Sequence, residues 1–140
     1  MTDPSLDRRV RSFFDAFAEA SDRLDLDVLG RLFADPFLAA DPAGARPVPR
    51  ELFLQALPRR AELFGAAGIG RVLLTEERHE ALDDTYVLAR TGWRGERTGG
   101  DGPLPPVRLA STFLLRRDGD DLRVVLYLNH QDPARALSSG

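Results

Sequence analysis

The sequence predicts an α+β fold in which a helical first half is wrapped by a curved, mainly antiparallel sheet. Three features predict it. Apolar residues recur at helical spacing through the first half, and β-rich runs broken by turn sequences fill the second. The last run, Leu122 to Leu128, ends in the polar cluster Asn129-His130-Gln131-Asp132. A spacing of 3.6 residues lines one face of a helix and a spacing of two lines one face of a strand, so the two halves carry different periods.

The elements follow in order. Leu6, Val10, Phe13, Phe14 and Phe17 predict a first helix over about Ser5 to Ser21, with Asp3 suited to a cap and Pro4 to the first turn. Leu26, Leu29, Leu32 and Phe33 predict a short second helix, capped by Asp25 and stopped at Asp35-Pro36. Phe37 to Ala40 reads as a short strand, because Asp41-Pro42-Ala43-Gly44 is a turn sequence and Pro47 and Pro49 follow it. A third helix is expected from Pro49 to Ala67, its buried face made by Phe53, Ala56, Leu57, Leu63 and Phe64 and its axis kinked or split at Pro58. Gly65, Gly68 and Gly70 end it.

Four antiparallel strands complete the reading: Val72 to Leu82, Thr85 to Arg97, Val107 to Leu115 and Leu122 to Leu128. Turns at Asp83-Asp84 and Asp118-Gly119-Asp120-Asp121 join two of the pairs, and Thr98 to Pro103 reads as a flexible connection that can rim a cavity. Strands such as Val124 to Leu128 are apolar on both faces. Three helices cover one face only, which predicts a homodimer through the outer face of the sheet.

Composition narrows the function. The chain has 140 residues, 43% of them apolar, and a net charge of -3, which suits one compact soluble domain over 1–140. Its 19 basic residues are all arginine and it has no cysteine, so lysine Schiff bases, thiol nucleophiles, disulfides and thiolate metal sites are excluded. No apolar run approaches the roughly 20 residues that span a bilayer, and the N-terminal residues do not read as a signal peptide, so a cytoplasmic protein without a membrane partner is expected. Arginines are interspersed with acidic residues and form no basic stripe, so no nucleic-acid partner is expected. Glycine-rich phosphate cradles and Gly-x-Ser-x-Gly elbows are absent.

The order of elements resembles the nuclear transport factor 2-like superfamily, which includes ketosteroid isomerases, SnoaL-like polyketide cyclases, limonene epoxide hydrolases and many uncharacterised members. Leu32-Phe33-Ala34-Asp35 leading into Ala40-Asp41-Pro42, the helix with Arg59-Arg60 and Leu63-Phe64, and Ser111 to Leu115 followed by Tyr127 to Asp132 carry the resemblance. It implies a cone-shaped barrel with an apolar cavity open at one end, and a dimer. The chain looks closest to uncharacterised members with a similar Asn-His-Gln-Asp ending.

In ketosteroid isomerases the Asp-Pro aspartate of a similar segment is the general base, and the matching residue is Asp41. A carboxylate facing an apolar pocket has the raised pKa that proton abstraction beside a carbonyl requires. The same dipeptide also simply opens a turn. The family's oxyanion-hole tyrosine has no counterpart in a first helix offering Phe13, Phe14 and Phe17, and Ser111 stands where the family has a protonated aspartic acid. The epoxide hydrolases' aspartate-arginine-aspartate arrangement is missing as well.

His130 is the second catalytic candidate, as an acid or proton partner of Asp41, against an ordinary hydrogen-bonded role. Asn129 and Tyr127 are suited to orienting a ligand carbonyl, on the strand face opposite His130. Phe14, Phe17, Phe37, Trp93, Ser111, Phe113 and Leu128 are expected to line the cavity. His79 is expected on a solvated strand surface; Arg59 and Arg60 are expected as surface charge or an intramolecular ion pair, the alternative being that one meets an acidic ligand group or pairs with Asp41, and no metal or cofactor is expected. Two functions stay open: a SnoaL-like protein that holds an apolar, oxygen-bearing small molecule and acts as a cofactor-independent isomerase, cyclase or dehydratase, or a non-catalytic dimeric module.

Overall fold

The computed structural model describes residues 3–131. Three helices and six strands alternate as α1 (Pro4–Arg23), α2 (Leu26–Leu32), β1 (Phe33–Asp41), β2 (Gly44–Val48), α3 (Arg50–Ala66), β3 (Ile69–Ala81), β4 (Tyr86–Gly99), β5 (Gly102–Asp118) and β6 (Asp121–Asn129). The strands form one curved open sheet in the order β2-β1-β6-β5-β4-β3, antiparallel except where β1 runs parallel to β6.

Local chemistry sets the helix ends. Asp3 accepts a hydrogen bond from the Ser5 amide at 2.9 Å and Pro4 opens α1. Leu24, in the left-handed region at φ 53°, stops α1, and Asp25 caps α2 by accepting from the Val28 amide. The start of α3 has no side-chain cap of its own. Asp35 supplies one from β1 by accepting from the Arg50 amide at 3.0 Å, while the Arg50 guanidinium donates to the carbonyls of Gly30 and Phe33. These bonds pin the first turn of α3 to α2 and β1.

Several expectations are corrected. Strand β1 begins at Phe33, directly after α2, and not at Phe37. Strand β2 contains Pro47, which had argued against a strand. It pairs only with β1 at the sheet edge, where a missing amide donor leaves no ladder bond unmade. The expected flexible connection after Arg97 is instead a tight hairpin, with Gly99 paired to Gly102 across Gly100-Asp101. Pro103, Pro105 and Pro106 are tolerated in β5 because β6 first pairs with β5 at Ser111 and leaves that edge free.

Helix α3 runs unbroken through Pro58, so the chain does not split there. None of its residues is fully buried. Ala56 and Leu63 are exposed, Leu63 at 56%, while Phe53, Leu57 and Phe64 are half-buried. The expected packed face of α3 is thus the wall of a hollow.

The core lies between α1, α2 and the inner sheet face. Leu6, Val10, Phe13, Phe14, Phe17 and Ala20 of α1 are buried in it. Phe113 stacks on Tyr127 at 4.8 Å between ring centroids and meets Phe14 edge-on at 5.1 Å; Phe37 packs against Phe33 and Phe53 at the far side. Such aromatic pairs add about 0.5–1.5 kcal/mol each to the burial of their area.

Candidate functional site

A cavity of about 230 Å³ opens where the C-terminal half of α1 and the inner face of β3 to β6 meet α3. Phe17, Leu29 and Ile69 form its apolar base, and Phe53, Leu57 and Phe64 of α3 roof it. Trp93, Ser111, Tyr127 and Asn129 line its sheet side. These four come together because strand alternation turns every second residue inward, and the β5–β6 register pairs Ser111 with Asn129.

A polar relay crosses this wall. The Trp93 Nε1 donates to Thr91 Oγ1 at 2.8 Å, the Thr91 hydroxyl donates to the Ser111 carbonyl, and the Ser111 hydroxyl donates to Asn129 Oδ1 at 2.8 Å. Thr91 and Ser111 are buried, so these bonds fix the wall in one arrangement. The relay ends with the Asn129 amide oxygen engaged. Its NH2 group and the Tyr127 hydroxyl make no hydrogen bond to another protein group among the described residues. Among the described residues, two lining side chains thus carry donors without a protein partner beside an apolar floor, an arrangement that can hold a carbonyl or ether oxygen.

Ionisable groups are few. Besides Tyr127, the lining holds, among the described residues, only the exposed Asp22 and the half-buried Arg60, whose guanidinium lies over the Phe64 ring at 5.4 Å. Arg59 is exposed and does not line the cavity.

The sequence-derived site residues divide. Phe17, Trp93 and Ser111 line the cavity. Phe14, Phe37 and Phe113 do not. They are enclosed in the packed aromatic core, where Phe113 is covered by Phe14, Phe17 and Tyr127. Leu128 pairs with Thr112 on the outward face, one residue out of phase with the inward Tyr127.

His130 is exposed and also lies on the outward side. Its Nε2 meets Thr112 Oγ1 at 2.6 Å and its backbone amide donates to the Ala110 carbonyl. Asp41 stands one residue beyond the Ala40–Leu128 pair, at the same strand end as Asn129, but it is exposed and absent from the cavity lining. Its carboxylate accepts from the amides of Ala43 and Gly44 at 2.8 and 3.2 Å, the turn-opening role of Asp-Pro. Asp132 lies outside the described residues.

Of helix α3 only Arg59 and Arg60 were expected as possible ligand contacts; its apolar cavity wall was not, although the signal was there. Phe53, Leu57, Arg60 and Phe64 follow a helical stripe that holds one arginine among apolar side chains.

His79 is likewise not on a solvated surface. It faces inward from β3, 15% exposed, with Nε2 at 2.7 Å from Asp7 Oδ1 on α1 and Nδ1 at 2.8 Å from Glu77 Oε2. Burial disfavours its charged form, but hydrogen bonds to Glu77 and Asp7, together with their charges, outweigh this and raise its pKa above 6.5. The two carboxylates occupy opposite ring nitrogens, so the three groups do not converge on one point. Among the described residues no cluster of histidine and acidic side chains is arranged to hold a metal ion, and no helix is long and apolar enough to cross a membrane.

Comparison with known proteins places this geometry. The family model described as NTF2-like protein (DUF6841) matches residues 6–132. No curated protein matches the chain. Aln2 from a Streptomyces species is similar in structure, with a TM-score of 0.78 at 18% identity over 99% of each chain. An NTF2-like protein with a cystatin-like fold from Novosphingobium aromaticivorans gives 0.74 at 17% identity, covering 94% of this chain and 87% of that one. A ketosteroid isomerase-like protein from Erwinia carotovora atroseptica gives 0.61 at 16% identity, covering 86% and 91%. At these identities the likeness is one of fold.

Proposed function

We propose, from the premise that this chain belongs to the NTF2-like protein family (DUF6841), that it binds an apolar small molecule bearing an acceptor oxygen, seated in a cone formed by the sheet and α3. The observation that carries this reading is that Tyr127 and Asn129, whose hydroxyl and NH2 have no protein partner among the described residues, line one cavity with the aromatic wall of Phe17 and Trp93. Burial of the ligand's hydrocarbon part supplies affinity at about 25 cal/mol per Å². The two donors supply orientation. Left unpaired by a pure hydrocarbon, they lose hydration without compensation, and the site discriminates against it.

The test uses β-tetralone, a bicyclic ketone, against tetralin, its hydrocarbon counterpart. Calorimetric titration is expected to find the ketone bound about tenfold more tightly, with the preference lost in Asn129→Leu combined with Tyr127→Phe. Equal affinity for both compounds in the unsubstituted protein contradicts the reading.

A second reading, catalysis with Asp41 as general base, draws on one observation: β1 carries Asp41 to the same end of the sheet as Asn129. It requires the carboxylate to leave the amides of Ala43 and Gly44 and turn toward the ligand. His130, on the outward side, is not part of that chemistry. Under this reading Asp41→Asn abolishes isomerisation or dehydration of a bound ketone. Under the binding reading it leaves affinity unchanged.

The homodimer is proposed through the outward sheet face. Leu88, Leu114, Leu126 and Leu38 fall in register across β4, β5, β6 and β1, each flanked by an inward-facing core residue. Leu38 is 39% exposed and the other three are half-buried in the single chain. A row of four leucines across a sheet is best covered by a second copy of the same row.

A further inference from the structure

The molecule has a second concavity, at the opposite ends of α1 and β6 from the first. An open groove of about 460 Å³ lies between the N-terminal half of α1, the last turn of α2 and the β5–β6 hairpin. Four arginines line it: Arg8 and Arg9 from α1, Arg31 from α2 and Arg123 from β6. We infer that this groove binds a phosphate monoester of a small molecule through these four guanidiniums.

The arginines are weakly committed. Among the described residues Arg8, Arg9 and Arg31 form no ion pair. Arg9 donates from Nη2 to the Gly119 carbonyl at 2.9 Å, which ties α1 to the hairpin, while its Nε is buried without a partner. Arg123 reaches Asp118 Oδ2 only at 3.9 Å, and its Nε is likewise buried and unpartnered. Those two Nε atoms are closed to the groove, but both guanidiniums are only partly exposed, so their charge is screened less toward an oxyanion in the groove than that of a fully hydrated surface arginine. Guanidinium forks match the oxygens of phosphate two at a time.

Charge and size set the class of ligand. Asp120 and Asp121 also line the groove, so its described lining carries a net charge of plus two, four arginines against two aspartates. A phosphate monoester carries about -1.5 to -2 at pH 7, which meets that charge. An extended polyanion meets the two carboxylates and a chain of overall charge -3, and is disfavoured. The volume admits a small organic body beside the phosphate, and the hydroxyls of Ser5 and Ser12 line the same groove to meet it.

Calorimetric titration of the full chain with phenyl phosphate and with inorganic phosphate tests the inference. Saturable binding of phenyl phosphate is expected, weakening as salt is added, with Trp93 emission unchanged because Trp93 lies in the other cavity. Arg8 and Arg31 are exposed and make no side-chain hydrogen bond among the described residues, so R8Q combined with R31Q leaves the fold intact. That double variant is expected to weaken binding about tenfold, with an unchanged thermal midpoint. R9Q provides a second measure at the partly buried position. Absence of saturable binding at millimolar ligand, or binding that neither R8Q/R31Q nor R9Q weakens, overturns the inference.

Discussion

At the residue scale, His79 makes stability depend on pH in a direction that geometry fixes. Its imidazolium bridges Asp7 of α1 and Glu77 of β3, and its pKa is raised above 6.5. A group with a raised folded-state pKa contributes its full stabilisation below the unfolded value near 6.5, and loses it as pH rises through the folded value. Urea titrations at acid and alkaline pH are therefore expected to show His79→Gln costing on the order of 1 kcal/mol below pH 6.5 and much less above the folded-state pKa. An equal cost at both extremes contradicts the ionic bridge. This role was not legible in Glu76-Glu77-Arg78-His79-Glu80, because that charged run reads as a solvated face. Strand parity puts His79 inward, opposite Ala89, and only the placement of α1 above it brings Asp7 into reach.

At the element scale, the joint between α3 and β3 rests on one glycine. Gly68 has φ +81°, and a Cβ there would stand 2.2 Å from the Thr98 carbonyl oxygen, while its own carbonyl accepts from the Thr98 amide. Backbone cannot yield as a side chain does. Gly68→Ala is expected to cost about 2 kcal/mol or more in chemical denaturation. Gly65→Ala, three residues earlier and inside α3, meets nothing within 4 Å and is expected to stabilise by up to about 1 kcal/mol. If the two substitutions have the same effect, the joint is not built as described.

The contrast between elements also explains what the sequence could reveal. Helix α1 was legible because its apolar stripe is its core face. Strand β2 was not, since edge pairing and not its composition makes Gly44–Val48 a strand. In α3 the expected inward face holds at Phe53, Leu57 and Phe64 and fails at Ala56 and Leu63, and periodicity does not distinguish a packed face from the wall of a hollow, which those three form.

At the scale of the whole molecule, the α+β order and the run of four antiparallel strands followed from pattern, whereas the site depended on phase within a strand. Tyr127 and Asn129 face the cavity, while Leu128 and His130 face outward, a division set by the pleat. Resemblance to isomerases drew attention to Asp41, and a histidine at the end of the last strand to His130, and neither lines the cavity. The outward leucine row leads to a prediction about assembly. Leu114→Arg combined with Leu126→Arg is expected to convert a dimer to a monomer in sedimentation equilibrium while the helical and sheet signals persist, since both side chains lie on the outer face. An unsubstituted protein that is monomeric at micromolar concentration contradicts the proposed interface.

The central claim is that the cavity beneath α3 receives an apolar, oxygen-bearing molecule against Trp93. The chain contains a single tryptophan, so intrinsic tryptophan emission reports on this wall alone. Titration with β-tetralone is predicted to change Trp93 emission saturably. The change is predicted to vanish in Ala61→Phe, where a bulky ring on a cavity-lining position of α3 fills the hollow. An emission spectrum that stays constant through the titration, or a response that survives filling the cavity, contradicts the claim.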